Sequence, residues 1–185
     1  ASDATPDGST LVFGGAERLI KVVDAKAGLL LHKLDKHTDW VFDIAINPDG
    51  LVFASADRAG NLFVWETASG QHIHTLRGHR GAVTEIDWLH GEDAFVTVGE
   101  DGTVRVWDAH QGQQMAFWKA SDSGLLGVSV SPDDTIHTIA RSGELASWDQ
   151  DGNKLPLQHR VEIMPTEVEA LQGEVVIGTW SGDLK

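Results

Sequence analysis

Cysteine is absent from the 185 residues. That excludes disulfides, thiolate metal sites and covalent haem attachment within this chain. Proline is scarce, with 5 residues against 20 Gly, and hydrophobic residues make up 41%. This is the composition of a folded chain rather than a disordered one. No window reaches the roughly 18 apolar residues of a membrane helix, so membrane insertion is not expected. Basic residues are few: 14 Lys+Arg against 28 Asp+Glu give a formal charge of −14. Such a surface repels phosphate backbones, so nucleic acid is not an expected partner. Catalytic signatures are missing too: there is no GxSxG, HExxH, Walker-type loop or Gly-rich dinucleotide fingerprint, and no cofactor is expected. SADRAGN at 55–61 begins like a calcium loop but lacks the alternating acids and the closing Glu.

What the chain has is repetition. LFVWETASG at 62–70 returns as VRVWDAHQG at 104–112 and LASWDQDG at 145–152, with IKVVDAKAG at 20–28 in the same frame. The spacing is 42 from Val23 to Trp65, 42 from Trp65 to Trp107 and 41 from Trp107 to Trp148. His37 and His79 keep the same phase, each 28 residues before its Trp. Turn glycines Gly60, Gly102, Gly143 and Gly182 make a third series. Three markers holding one period indicate a repeat architecture. Within a unit, apolar segments of about six residues alternate with Gly- and Asp-rich turns, the signal of antiparallel strands. The second unit reads as strands at Val41–Asn47, Leu51–Ala56, Asn61–Glu66 and Gln71–Leu76. Phe63 and Trp65 load one face of the third strand, Leu62 and Val64 the other. A half-exposed sheet would alternate apolar with polar; a sheet covered on both sides would not. The expected fold class is therefore all-β, a β-propeller.

RGHRGAV around His79 and DGTVRVWD ending at Trp107-Asp108 resemble the WD40-repeat family of β-propellers. The resemblance implies a hydrogen-bonded brace of His79, Thr97, Asp101 and Trp107, which suits the need of a buried imidazole and indole for partners. Elsewhere the motif decays. Unit two has His37 and Trp65, but Ala59 in the slot of the turn Asp. Unit four has Trp148, with Ser121 and Ser142 in the His and Asp slots. Unit one offers Val23 and Glu17. Those units are expected to hold mainly by apolar packing. The repeats fall at 37–78, 79–120 and 121–158, with partial ones at 1–36 and 159–185. The tail IGTWSGDLK places Gly182 in the slot of Gly102 and stops before the matching Trp. Since rings of this family commonly have seven blades, the expectation is an incomplete propeller with three full four-stranded blades and a partial blade at each end. Its open flanks would expose apolar sheet faces to the remaining blades.

His72 and His74 share one face of a predicted strand, yet two ligands alone do not make a metal site, and an exposed outer strand with tolerant polar positions explains them. Asp57 and Asp133-Asp134 read as turn residues that bond the local backbone. Better binding candidates are large side chains at rim loops. Trp40 fills the slot of Ala82 and Gly124. Trp180 fills the slot held by Arg58, Glu100 and Arg141. Arg80 follows the His position, where Thr38 and Asp122 stand in neighbouring units. Trp and Arg there fit interface anchors; otherwise Trp40 tucks under a neighbouring blade and Trp180 packs against a missing one. Trp65, Trp107 and Trp148 are periodic and belong to the core, and Trp88 and Trp118 occupy packing slots.

Three functions compete. The first is a non-catalytic scaffold whose rim binds a protein or peptide, an inference from fold. The second rests on VWDAHQGQQMAFW, which is similar to quinoprotein propeller repeats, although the His37 and His79 series departs from them. HTDWV, RAGNLFVWE and TWSGD also resemble WD40 arrays beside c-type cytochrome domains in some bacterial proteins. That would imply an accessory segment of an extracytoplasmic redox protein. The third is a sialidase- or lyase-like enzyme, which needs Arg58, Arg80 and Arg141 to converge with acids.

Overall fold

The computed structural model describes residues 1–91, 93–160, 165–171 and 174–179. Eighteen strands and no helix occur among these residues. They are β1 (Ser2–Ala4), β2 (Thr10–Gly14), β3 (Ile20–Asp24), β4 (Leu29–Leu34), β5 (Val41–Ile46), β6 (Val52–Asp57), β7 (Leu62–Glu66), β8 (His72–Leu76) and β9 (Val83–Trp88). There follow β10 (Ala94–Gly99), β11 (Thr103–Asp108), β12 (Gln113–Lys119), β13 (Leu125–Val130), β14 (Ile136–Ala140), β15 (Glu144–Trp148), β16 (Lys154–Arg160), β17 (Pro165–Leu171) and β18 (Glu174–Thr179).

Sequential antiparallel pairing gives four four-stranded sheets, β1 to β4, β5 to β8, β9 to β12 and β13 to β16, and a two-stranded sheet of β17 and β18. The first strand of each sheet lies beside the first strand of the next, from β1 through β5, β9 and β13 to β17. The sheets are therefore blades set side by side around an axis, an incomplete propeller. Unit one, expected as a partial blade, has four strands, because Ser2 and Ala4 pair with Phe13 and Leu11.

The core lies between blades. Val12, Ile20 and Val22 of the first blade meet Phe53, Phe63 and Trp65 of the second. Ala54, Leu62 and Val64 meet Phe95 and Trp107 of the third, and Val96, Val104 and Val106 meet Ile136 and Trp148 of the fourth. Alternation along a strand sends successive residues to opposite faces, and both faces of β7 are buried as expected. The first blade shows what an uncovered face looks like. Leu11 and Phe13 alternate with buried Val12 and are exposed, together with Leu30 on β4. Phe53, Phe95 and Ile136 occupy the position of Leu11 in the later blades, pairing with Trp65, Trp107 and Trp148 as Leu11 pairs with Val23. All three are fully buried.

Turns between first and second, and between third and fourth, strands lie at one end of each blade. Connections between blades, and the turns between second and third strands, lie at the other. Gly60, Gly102 and Gly143 sit in the latter turns with φ of 86°, 69° and 82°, the left-handed region that a Cβ disfavours. Gly182 lies outside the described residues.

Candidate functional site

The second and third blades each carry a hydrogen-bonded brace beside their rim loops. In the third blade the Trp107 indole donates to Thr97 Oγ1 at 2.8 Å, and Thr97 Oγ1 lies 2.8 Å from His79 Nε2. His79 Nδ1 faces Asp101 at 3.1 Å. Asp101 also accepts from the backbone N–H of Arg80 at 2.8 Å and from Thr103 Oγ1 at 2.7 Å. Burial alone would raise the Asp101 carboxyl, but the His79 ring and the Arg80 and Thr103 bonds outweigh it and hold it well below the usual carboxylate range. The four residues implied by resemblance thus form one connected network.

The second blade corrects the expectation that its brace is broken. Trp65 Nε1 donates to Ser55 Oγ at 2.8 Å, His37 Nε2 lies 2.8 Å from the same hydroxyl, and His37 Nδ1 lies 3.0 Å from Asp57 Oδ2. The carboxylate comes from the end of β6, two residues before the Ala59 slot. Asp57 is more than a turn residue: its Oδ1 caps the turn by accepting from Ala59 N and Asn61 N, while its other oxygen meets the imidazole. Burial would raise its carboxyl too, but His37 and Asn61 reverse the sign and lower it.

Among the described residues, blade four has no imidazole in its brace. Trp148 Nε1 donates to Thr138 Oγ1 at 2.9 Å. Ser121 bonds Ser123, whose hydroxyl accepts from Ser142 N at 3.2 Å. Blade one places Phe13 where Ser55, Thr97 and Thr138 stand, since Phe13 pairs with Lys21 as Ser55 pairs with Phe63. Apolar packing holds it, with Glu17 paired instead to Lys21.

At the rim itself, the same backbone bond recurs in three blades. Arg58 N donates to Trp40 O, Glu100 N to Ala82 O and Arg141 N to Gly124 O, at 2.8–2.9 Å. Trp40 is 49% exposed, so it does not tuck under the next blade. The Arg58 guanidinium lies 5.8 Å from its ring centroid, in cation–π range. Glu100 and Arg141, on successive blades, meet at 3.5 Å. Arg80 is exposed beside Asp101. The three arginines thus differ: the Arg58 side chain faces an indole, the Arg141 side chain a glutamate, and Arg80 meets the Asp101 carboxylate through its backbone N–H. Trp180 lies outside the described residues.

Other candidates are absorbed by packing. Trp88 is buried and donates from Nε1 to Ala45 O at 3.0 Å. Trp118 lies 5.9 Å from Trp148, centroid to centroid. His72 bonds Thr75, whereas His74 reaches His110 O across the blade boundary at 2.9 Å, so the two imidazoles serve different partners. Asp133 bonds Ser131 and Thr135 within its turn, but Asp134 accepts from His90 N, 44 residues away.

A set of carboxylates that link neighbouring blades was not anticipated. On the first strands, Asp3 accepts from Ile46 N, Asp43 from Ile86 N, Glu85 from Val128 N and Asp87 from Val130 N, each at 2.7 Å and each 43 residues apart. Ser129 Oγ accepts from Ala170 N in the same way. These bonds staple neighbouring blades along the axis. Burial pushes the Asp43 and Asp87 carboxyls up to about 6, against the pull of the N–H donors. In sequence the signal was an acid or hydroxyl at matching positions of consecutive first strands, Asp43 with Glu85 and Asp87 with Ser129.

The family model described as "WD domain, G-beta repeat" matches residues 28–66 and 70–108. The chain is 30% identical over 150 residues to Autophagy-related protein 16 of Arabidopsis thaliana, covering 79% of this chain and 29% of that protein. It is 35% identical over 116 residues to Telomerase protein component 1 of Mus musculus, covering 60% of this chain and 4% of the relative. The Rattus norvegicus protein of the same name is 30% identical over 127 residues, covering 66% and 5%. The chain therefore spans less than a third of the length of these curated relatives. The likeness to arrays beside c-type cytochrome domains is not borne out by these matches.

Proposed function

Because this chain belongs to the WD40-repeat family, we propose that it is a non-catalytic interaction scaffold that binds a protein or peptide segment across the rim of Trp40, Arg58, Arg80, Glu100 and Arg141. The observation that carries this reading is Trp40: a half-exposed indole at a blade connection, backed by an arginine, where the next two blades have Ala82 and Gly124. An indole stiffened by a guanidinium offers a large contact area with little rotamer entropy left to lose, as interface anchors do. Engagement of buried acids and imidazoles in the brace supports a non-catalytic role, since Asp57, Asp101, His37 and His79 are all bonded there. The net charge of −14 disfavours a nucleic-acid partner.

The test is a partner captured on the wild-type chain, identified, and then titrated against Trp40→Ala and Arg58→Ala by calorimetry. The expected result is a loss of binding of about 2 kcal/mol or more for Trp40→Ala with an unchanged melting temperature. Unchanged binding with a lowered melting temperature would assign Trp40 to packing.

A further inference from the structure

Two exposed arginines on the Trp40 rim, Arg58 and Arg80, have no carboxylate partner for their side chains among the described residues. The acids nearby are engaged elsewhere. Asp57 is held by His37 and Asn61, Asp101 by His79 and Thr103, and Glu100 by Arg141. Asp39 accepts from the backbone N–H of Trp40. The cation–π contact of Arg58 occupies the face of its guanidinium and leaves the N–H groups on the edge to donate. Arg80 also faces a like charge. Burial lowers the Arg105 guanidinium, Asp101 opposes that shift, and Arg80 adds to it. An anion at Arg80 would relieve the repulsion.

The two arginines belong to one continuous surface. A Cβ on Gly60 would lie 2.7 Å from Gly81 O and 3.3 Å from His79 O. The turn that carries Arg58 is therefore seated on the loop that carries Arg80, and Arg58 N bonds Trp40 O. Charge differs at the opposite end of the blades, where the turns present Asp7, Asp49, Asp93, Asp133 and Asp149. An anionic segment is repelled there and drawn to the arginines here.

We propose that the rim takes an acidic, extended segment of a partner protein, with an apolar side chain on the Trp40 indole and a carboxylate on each of Arg58 and Arg80. This partner chemistry rests on the rim being the binding surface, as read above. One acid for each guanidinium uses the planar fork of arginine and needs no convergence of the two. A short segment also suits the charge balance better than a polyanion. Nucleic acid brings many phosphates against the −14 of the whole chain, whereas a segment with a few acids meets only the rim.

The probe is a phage-displayed library of random dodecapeptides selected on the wild-type chain, with Trp40→Ala as the counter-selection. The expected winners combine an aromatic or aliphatic residue with Asp or Glu. A winner is synthesised together with a copy in which every Asp and Glu becomes Asn and Gln, and both are titrated by calorimetry. The acidic peptide should weaken with salt, and its amide copy should bind more weakly by roughly tenfold or more. Arg58→Gln and Arg80→Gln should each weaken the acidic peptide, and Arg58→Glu with Arg80→Glu should turn the selection toward Lys and Arg. Circular dichroism melting curves identify any loss that comes from unfolding, and the amide copy is measured on the wild-type chain alone. Winners that need Trp40 but carry no acids would overturn this partner chemistry and leave the rim reading standing. A selection without Trp40-dependent winners would overturn both. Equal affinity for the amide copy, indifference to both arginine variants, or tighter binding of a single-stranded oligothymidine than of the acidic peptide would each sink the acidic segment.

Discussion

His37 Nδ1 and Asp57 Oδ2 lie 3.0 Å apart with both side chains buried, so the second blade is braced as completely as the third, by a carboxylate that enters from a different place in the chain. Asp57→Ala leaves a buried imidazole without its partner and removes the cap of the following turn. The expected loss is about 1–3 kcal/mol, the usual cost of a buried group left unsatisfied. Asp101→Ala should lose less, because Asp101 is partly open to solvent. Urea denaturation of both variants checks the order, and a neutral Asp57→Ala would remove the brace from the second blade.

The pH dependence of stability should run in two directions. Asp43 and Asp87 have carboxyls raised to about 6, so the folded chain binds protons that the unfolded chain has released. Their contribution is fully present below about pH 4 and is lost as pH rises through about 6. Asp57 and Asp101 are lowered; their contribution is present above about pH 4 and is lost as pH falls. Asp43→Asn and Asp87→Asn keep an oxygen for Ile86 N and Val130 N while removing the buried charge. Each should therefore flatten the decline in stability between pH 5 and pH 7, with a gain over wild type on the order of 1–3 kcal/mol at pH 7. Urea midpoints at pH 5, 6 and 7 measure this, and a parallel shift at all three pH values would refute it.

Gly102→Ala should be among the most damaging single-methyl changes. Gly102 has φ of 69°, and a Cβ there would come within 2.2 Å of Ser121 O and 2.8 Å of Ser123 O, both backbone atoms. Gly28 also has positive φ, at 64°, but nothing lies within 4 Å of its Cβ position. Gly28→Ala should therefore cost about 1 kcal/mol from backbone strain alone, and Gly102→Ala clearly more. Thermal denaturation of the pair separates strain from collision; equal melting temperatures would show that the neighbouring blade yields.

Much of the architecture was legible before any coordinates. A period of 41 or 42 residues, an indole at the end of each third strand from Trp65 onward, and bulk on both faces of β7 leave little but radially stacked sheets. The brace of the third blade was legible because Asp101 stands where the family pattern puts it. The brace of the second was not, because a carboxylate can reach the same imidazole from the strand end or from the turn, and only backbone geometry decides which. The exposure of Trp40 was open in the same way, since an indole in a connection can fold under or stand out. The carboxylate staples were harder still. Asp3 and Ile46, or Asp87 and Val130, meet because two first strands lie side by side, and the only mark of that in sequence is the recurrence of an acid or hydroxyl at matching positions of consecutive first strands.

The sequence by itself determined the repeat, the strand order within each blade and the set of residues that face a neighbour, because period and alternation are local properties that survive without knowledge of the whole. Tertiary structure decided which polar groups found each other: Asp57 with His37, Asp43 with the next blade's backbone, Arg58 with Trp40, and Thr67 with no partner among the described residues. Those pairings depend on distances of about 3 Å for hydrogen bonds between groups far apart in the chain, and packing alone sets such distances.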